Sequence, residues 1–300
     1  MRSPVLAAAA AACAMAMCAA AHAAAPDPQV WRQLSVDNTL YIDTTQGRVV
    51  VELYPEIAPQ HVARIKQLAR EHFYDGLTFH RVVENMMAQG GDPKGTGEGG
   101  SKYPDLPAEF RFRRSADMTF VLAANQGGAM SGFYKSLPIA SQPNEVMQIT
   151  KDGKADAWAL HCPGIASMAR SDTENSANSQ FFLMRASYPS LDKRYTIWGR
   201  VVWGEDVVKK LAVGAPPPKP DRMTKVNVAA DLPQSERAPL YVMRTDSKPF
   251  GEIIDKARKT RGADYSVCDI EVPARVNGEQ AKVAKAEKEK PWWQKIPLIP

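Results

Sequence analysis

Along most of this 300-residue chain, apolar residues occur in short runs separated by polar ones, which is the pattern of β-strands. The first two runs, 40–43 and 48–54, are joined by Gln46-Gly47 and predict a β-hairpin. The remaining runs of this kind predict strands at 79–83, 87–89, 118–124, 180–184, 195–203 and 225–229. The chain is therefore predicted to be mainly β.

Two stretches within this β-rich part have helical spacing instead. Between Ile57 and Phe73, apolar residues recur every three or four positions, and Pro59 suits a first helical turn. A shorter helix is predicted between Gly204 and Val213. We expect these two helices to pack on the strands.

The pattern changes after residue 232. A strand-like run at 239–245 is followed by an amphipathic helix at 248–261, which Gly262 is expected to end. A further strand-like run covers 265–272. Residues 233–276 are therefore predicted to form a small β-α-β appendix.

The N-terminus has the features of a secretory signal peptide. Arg2 precedes an apolar, alanine-rich run at 5–21, and Ala21-His22-Ala23 fits a cleavage site before Ala24. A membrane anchor is the weaker alternative, because the run is short and barely apolar enough to cross a bilayer. We expect residues 1–23 to be removed, a flexible leader at 24–38 and a periplasmic location.

The C-terminal tail, 277–300, is rich in charge and ends with Trp292-Trp293 beside lysines. We expect it to be flexible. The alternative is a weak contact with an anionic membrane surface, which basic and aromatic residues favour.

Composition excludes some classes of function. Apolar residues make up 44% and charged residues 24%, as in an ordinary globular protein. Without residues 1–23 the chain keeps 37 basic and 33 acidic residues, a net charge of +4, and the charges are interspersed. The sequence lacks the clustered basic face that nucleic-acid binding requires, so no nucleic-acid partner is expected. The histidines lack the spacing of metal ligands, so no metal or other cofactor is expected.

Two cysteines remain after removal of the signal peptide, Cys162 and Cys268. In an oxidising compartment they are candidates for a disulfide. Two buried free thiols are an equally good interpretation of the sequence.

The most specific signal lies in two separated segments, FHRVVENMMAQGGDPKGTGEGG at 79–100 and ASMARSDTENSANSQFFLM at 166–184. In this order they resemble the cyclophilin family of peptidyl-prolyl cis/trans isomerases. The resemblance covers residues 39–232 and includes TTQGRVVVELYPEIAP near the start. It implies a closed antiparallel eight-stranded barrel capped by two helices. Residues 125–162 stand out as an insertion, which we expect to be a local elaboration of the fold and not a functional loop.

The resemblance also assigns roles to individual residues. It implies that Arg81 is the catalytic arginine and that Gln89 orients it. It implies that the substrate is bound by Met86, Met87, Ala169, Arg170, Gln180, Phe182, Leu191 and Tyr195.

The chain departs from the family pattern at several of these positions. Met86 replaces a phenylalanine of the proline pocket, and methionine defines a pocket wall less sharply. Arg170 replaces an asparagine, and Tyr195 replaces a histidine. Ser190 stands where animal members have a tryptophan that binds cyclosporin. Only Met86 bears on turnover itself.

An arginine suits the reaction that the resemblance implies. The prolyl peptide bond rotates slowly because resonance gives it partial double-bond character, with a barrier of ~18–20 kcal/mol. A guanidinium that stays charged at physiological pH can stabilise the twisted amide without making or breaking a bond. We therefore expect a monomeric peptidyl-prolyl isomerase that acts on proline-containing unfolded or partly folded exported polypeptides. The alternative is a proline-binding chaperone or scaffold with low turnover.

Overall fold

Antiparallel strands make up most of the structure, as the alternating pattern predicts. The computed structural model describes residues 25–126, 129–237, 239–276 and 279–280. The predicted signal peptide and most of the predicted tail, including Trp292-Trp293, lie outside the described residues.

The strands are, in chain order, β1 Trp31–Gln33, β2 Thr39–Thr44, β3 Gly47–Leu53, β4 Arg81–Val83, β5 Met87–Gly90, β6 Phe112–Arg114, β7 Phe120–Gln126, β8 Ala129–Tyr134, β9 Leu137–Ser141, β10 Ala155–Ala159, β11 Ile165–Met168, β12 Phe181–Met184, β13 Ile197–Trp203, β14 Met223–Val228, β15 Leu240–Met243, β16 Ala274–Val276 and β17 Glu279–Gln280. The α-helices are α1 Pro59–Arg70, α2 Glu205–Lys210 and α3 Lys248–Arg261. All three predicted helices are present, the first two shorter than predicted. In the described part of the chain, no helix has both the length and the apolar composition needed to span a bilayer.

The largest sheet has eight strands in the order β14-β2-β3-β13-β11-β12-β5-β4. It contains the predicted hairpin, in which Thr44 pairs with Gly47. The prediction of a closed barrel was wrong, because β4 and β14 remain the two edges of an open, curled sheet. In the described part of the chain, the single isolated bridge of β4 to the segment beside it joins Val82 to Gly214. That segment continues through Pro216-Pro217-Pro218, which has no N–H groups to donate to a ladder.

The concave side of this sheet holds one of two hydrophobic cores. Alternate residues of the strands, among them Val82, Ala88 and Phe181, pack there with Trp198. Helix α1 covers this core with the apolar residues of its buried face, Val62, Ile65, Leu68 and Ala69. The next residues along the same strands therefore point to the opposite side of the sheet.

The insertion at 125–162 forms most of a second sheet, with the strand order β6-β10-β9-β8-β7. Strand β6, which lies outside the insertion, pairs with β10 through Phe112 and Ala157. Every residue of β9 is buried. The insertion is thus an ordered layer of the molecule.

A third sheet, β1-β15-β16-β17, combines residues from both ends of the described chain. The segment 24–38, predicted as a flexible leader, contributes β1, and Trp31 pairs with Met243 of β15. The physical reason is that β1 has both a buried apolar residue, Trp31, and an ion pair between Arg32 and Glu52 of β3. The segment after residue 232 therefore does not form a sheet of its own.

The strand predicted at 265–272 is absent. The strand that pairs with β15 after helix α3 is β16 instead. Residues 267–269 form a turn of 3₁₀ helix instead. Ser266 Oγ accepts a hydrogen bond from the Cys268 N–H, and Asp269 accepts one from the Ser266 N–H. Such local side-chain bonds compete with a strand ladder.

A second hydrophobic core lies between the three sheets. It includes Phe133 of β8 and Phe250 of α3, whose rings meet edge-to-face at 5.3 Å. It also includes Phe182 and Met87 of the large sheet. We call it the outer core. It joins the insertion and the C-terminal segment to the convex side of the large sheet.

Buried polar groups tie the same layers together. The carboxylate of Glu52 is bound by Arg32 Nη1 at 2.6 Å and by Arg32 Nη2 at 2.7 Å. It also accepts hydrogen bonds from Tyr54 at 2.7 Å and from Ser136, in the turn between β8 and β9, at 2.6 Å. Burial raises the pKa of Glu52, but the Arg32 guanidinium and these donors outweigh burial, so the pKa is lowered overall.

Candidate active site

Arg81, Gln89 and Phe182 lie side by side on three neighbouring strands. Arg81 of β4 is opposite Gln89 of β5, and Gln89 is opposite Phe182 of β12. Residues directly opposite each other in a sheet share a face. These three side chains therefore stand on the convex face of the sheet, with Arg81 exposed and Phe182 only 5% exposed.

A relay of amide hydrogen bonds runs to Arg81 from the glycine-rich loop. Gln180 Nε2 donates to the carbonyls of Gly97 and Gly99, both at 2.8 Å. Its Oε1 accepts from Gln89 Nε2 at 2.9 Å, and Gln89 Oε1 accepts from Arg81 Nη1 at 3.4 Å. Because backbone carbonyls can only accept, the orientation of each amide in the relay is fixed. The loop thus aligns the arginine through two glutamines.

The loop is itself organised by Asp92, which is 1% exposed. Its carboxylate accepts from the backbone N–H groups of Lys94 at 2.7 Å, Thr96 at 2.9 Å and Gly97 at 2.6 Å. Burial raises the pKa of Asp92, but these N–H groups and that of Gly99 outweigh burial and lower the pKa overall. A Cβ on Gly99 would collide with the Asp92 carboxylate, so only glycine fits there.

The apolar residues that the resemblance assigns to the proline pocket lie in or against the outer core beside Arg81, and we call this group the pocket. Met87 and Phe182 belong to the outer core, and Met86, Ala169, Leu191 and Tyr195 pack against that core while remaining partly exposed. The rings of Phe182 and Tyr195 meet edge-to-face at 5.7 Å. Arg81 Nη1 lies 3.9 Å from Met87 Sδ, so the cation stands at the edge of the pocket.

Arg170 lies at the rim of this pocket. Its guanidinium is 4.7 Å from the centre of the Tyr195 ring, in a cation–π arrangement. It also donates to the Arg194 carbonyl at 2.8 Å and to the Ser171 carbonyl at 2.7 Å. The arginine that replaces the family's asparagine therefore braces the neighbouring backbone. Every site residue predicted from the sequence thus belongs to one connected group.

His80, next to Arg81 in the chain, adds no charge behind the arginine. Its side chain is buried, and burial lowers its pKa, as does the neighbouring charge of Arg81. Asp92 opposes this effect without reversing it. The imidazole therefore stays neutral at physiological pH, and Arg81 is the cation presented here.

His161, at the end of the insertion, also belongs to the site, although the sequence motifs did not predict it. Its buried ring stacks on Phe182 with centroids 6.1 Å apart and contacts Tyr195 edge-on at 6.4 Å. Its Nδ1 lies 2.9 Å from Asp192 Oδ1, and its backbone N–H donates to the same oxygen at 2.8 Å. Its signal in the sequence was its place, five residues before the second motif begins at Ala166.

Cys162 follows His161 and is bonded to Cys268 in the structure, with the Cα atoms 4.9 Å apart. The bond joins the end of the insertion to the C-terminal segment. Among the described residues, no group of His, Cys, Asp or Glu side chains could hold a metal ion. The site therefore consists of a fixed cation, an amide relay and an apolar pocket, which can bind a ring and polarise a neighbouring amide.

Comparison with known proteins gives a consistent result. The family model described as "Cyclophilin type peptidyl-prolyl cis-trans isomerase/CLD" matches residues 39–228. The chain is 35% identical over 225 residues to a "Probable peptidyl-prolyl cis-trans isomerase" of Brucella suis, covering 70% of this chain and 87% of that protein. It is 33% identical to the "Peptidyl-prolyl cis-trans isomerase ppi1" of Schizosaccharomyces pombe, covering 57% and 83%.

A solved structure extends the likeness beyond the family domain. The crystal structure of cyclophilin AquaCyp293 from Hirschia baltica is 37% identical in sequence, with a TM-score of 0.77. The match covers 83% of this chain and 94% of that one. The structural match thus includes more of the chain than residues 39–228, which the family model covers.

Proposed function

This chain belongs to the cyclophilin-type peptidyl-prolyl cis-trans isomerase family, and from that premise we propose that Arg81 is the group that accelerates the rotation. The observation that carries the proposal is the relay that aligns the Arg81 guanidinium at the edge of an apolar pocket. Family membership supports the isomerase activity. The role of the arginine and the nature of the substrates are our inference.

Rotation about the Xaa-Pro bond needs no bond to be formed or broken. In the twisted state the proline nitrogen regains its lone pair, because conjugation with the carbonyl is lost. A guanidinium N–H at the pocket edge can donate to that nitrogen and so favours the twisted state over the planar one. An acceleration of about 10⁵-fold corresponds to roughly 7 kcal/mol of such selective stabilisation.

The pocket supplies the rest of the selectivity. The proline ring would enter between Met87, Phe182 and Tyr195, which places its nitrogen beside Arg81. Main-chain groups at Ala169 and Arg170 would hold the preceding substrate residues, and Gln180 would line the neighbouring subsite. Holding the ring and the residues before the prolyl bond, while the carbonyl itself stays free to turn, leaves rotation about that bond as the free motion, and such positioning lowers the barrier further.

The sequence supports a location and a class of substrate. The signal peptide predicted at 1–23 supports export to the periplasm, and the two cysteines suit that oxidising compartment. We propose that this protein, acting as a monomer, isomerises Xaa-Pro bonds in unfolded or partly folded exported polypeptides.

The test is to replace Arg81. We expect Arg81→Ala to lower kcat/KM by about 10²–10³-fold, because an electrostatic donor to the transition state is lost. Arg81→Lys should restore little of the rate, because a lysine ammonium is a point charge without the planar fork of donors. The melting temperature should hardly change, since Arg81 is exposed. The assay is the cis-to-trans rate of a short Xaa-Pro-Phe peptide, read without a coupling protease.

Arg70→Ala is a matched control. Arg70 is also an exposed arginine, and its partner is Asp231, so its loss should leave the rate unchanged. A folded Arg81→Ala variant with near-full turnover would show that Arg81 is not the catalytic group. If wild type and variant both stayed near the uncatalysed rate while peptide binding persisted, the low-turnover scaffold would be favoured.

A further inference from the structure

We propose that His161, which the insertion supplies, is a positioning residue that holds the wall and the rim of the proline pocket. This inference rests on the proposed function, since it concerns the pocket in which the substrate proline would lie. His161 is not itself assigned a contact with the substrate.

The ring of His161 lies directly behind the pocket wall. It is 1% exposed and stacks on Phe182 with an angle of 22° between the two planes. Its edge meets Tyr195 at an angle of 82°. Phe182 and Tyr195 also contact each other at 5.7 Å, so the three rings form one aromatic cluster. A wall residue backed on one side by a packed ring has few alternative rotamers.

Hydrogen bonds fix both the histidine and the rim turn. Asp192 Oδ1 accepts from the His161 backbone N–H and faces Nδ1, and a carboxylate can only accept, so Nδ1 carries the proton. The His161 carbonyl in turn accepts from the Tyr188 N–H at 2.9 Å. These hydrogen bonds therefore hold residues 188–192 in place relative to His161. They include Leu191, which packs at the pocket.

The same stretch of the insertion holds this turn at a second point. Lys193 Nζ lies 4.5 Å from the centre of the Trp158 ring, and Trp158 belongs to β10 of the inserted sheet. The Cys162–Cys268 bond ties the next residue after His161 to the C-terminal segment. The insertion therefore contacts the back of the pocket wall. Under this proposal it supports the site, whereas the sequence led us to expect only a local elaboration of the fold.

Two substitutions separate the ring from its hydrogen bonds. His161→Asn keeps a donor near the position of Nδ1 but removes the ring, whereas His161→Phe keeps a ring and removes the donor. We expect His161→Asn to raise KM for the Xaa-Pro-Phe peptide about 3- to 10-fold, the range that loss of an aromatic pair corresponds to. His161→Phe should raise KM less, by about 2- to 3-fold, because the ring remains and only the hydrogen bond is lost. In both variants kcat should change less than KM.

A specificity ratio distinguishes positioning from loss of stability. The ratio compares kcat/KM for the proline peptide with that for the same peptide carrying pipecolic acid, whose ring has six members. A loosened wall admits the larger ring, so the ratio should fall in His161→Asn. A purely structural defect would lower both rates equally. His72→Asn is the control, because His72 is exposed and its Nδ1 also faces an aspartate, Asp75.

Asp192→Ala decides the question if neither His161 variant folds. Asp192 lies in a partly exposed turn, and its loss removes the acceptor that faces the His161 backbone N–H and Nδ1. It should raise KM and lower the specificity ratio in the same direction. Folded variants that keep KM within about twofold and the ratio unchanged would overturn the proposal. A full loss of rate in Arg81→Ala, together with those results, would leave the proposed function intact and refute only the role of His161.

Discussion

The glycine-rich loop makes a sharp prediction about Asp92, which is not one of the pocket residues. We expect Asp92→Asn to lower kcat/KM although every residue of the pocket remains. The physical reason is the order of contacts: Asp92 fixes the loop, the loop carbonyls fix Gln180, and Gln180 fixes Gln89. Gln89 is the side-chain partner of Arg81 in the relay.

The magnitude follows from the hydrogen bonds that the substitution removes. Oδ1 of Asp92 accepts one backbone N–H, from Lys94, and Oδ2 accepts two, from Thr96 and Gly97. In Asp92→Asn one of these oxygens becomes an NH₂ group, which faces N–H donors. Bonds to a charged acceptor contribute about 1.5–3 kcal/mol each, so the loop should lose roughly 2–4 kcal/mol. If a third to a half of that free energy appears as weaker stabilisation of the transition state by Arg81, kcat/KM falls about tenfold.

The pH dependence of stability gives an independent measurement. Because the pKa of Asp92 is lowered in the folded protein, its carboxylate contributes stability above the ordinary aspartate pKa of about 3.9. That contribution is lost as the pH falls through the lower, folded-state pKa. Urea unfolding at pH 7, 4 and 3 should therefore show a difference between wild type and Asp92→Asn that is constant near neutrality and shrinks in acid.

Glu98→Gln is the matched control, since Glu98 is exposed in the same loop and its neutralisation changes the loop charge equally. Its turnover should equal that of the wild type. If Asp92→Asn lost the expected unfolding free energy yet kept full kcat/KM, the loop would not support the arginine, and the prediction would be wrong. An unchanged unfolding free energy would refute the energetic argument itself.

Three further predictions concern stability and inhibition. Free-thiol labelling of denatured, periplasmically expressed protein should find no reactive cysteine, and changing Cys162 and Cys268 to serine should lower the unfolding free energy by about 2–4 kcal/mol. Two reactive thiols per chain would contradict this. Arg32→Ala should cost about 3–5 kcal/mol in urea unfolding, because it leaves the Glu52 carboxylate buried without its cation. A cost below 1 kcal/mol would contradict that assignment. Cyclosporin should inhibit only weakly, since Ser190 supplies no indole to bind it, and inhibition at low nanomolar drug would show that this view of the rim is wrong.

The sequence predicted much of the candidate site because the site lies on regular strands. Arg81, Gln89 and Phe182 occur at fixed positions of two motifs, and antiparallel pairing brings those positions together. Long runs with clear periodicity also predicted the hairpin and helix α1. In each case local pattern and tertiary packing agree.

The rest depends on contacts between distant segments. Strand β1 has three residues, too few for a periodic signal, and Arg32 meets Glu52 only after the chain has folded. His161 lies at the end of the insertion, where the family pattern assigns no role, and only the packing of the insertion brings its ring to Phe182. The closed barrel failed for a local reason, because a proline-rich segment runs beside β4 and cannot complete a ladder.

The third sheet has a consequence for the order in which the protein can be completed. Trp31 of β1 lies opposite Met243 of β15, so the first strand of the described chain cannot pair until β15, near the end of the described chain, has been synthesised. Pairings between such distant segments form slowly, and unpaired strands are exposed to aggregation in the meantime. Cys162 likewise has no partner until residue 268 has emerged. A chain arrested before Leu240 would contain both cyclophilin motifs but lack β15, β16, β17 and α3, so the third sheet could not form.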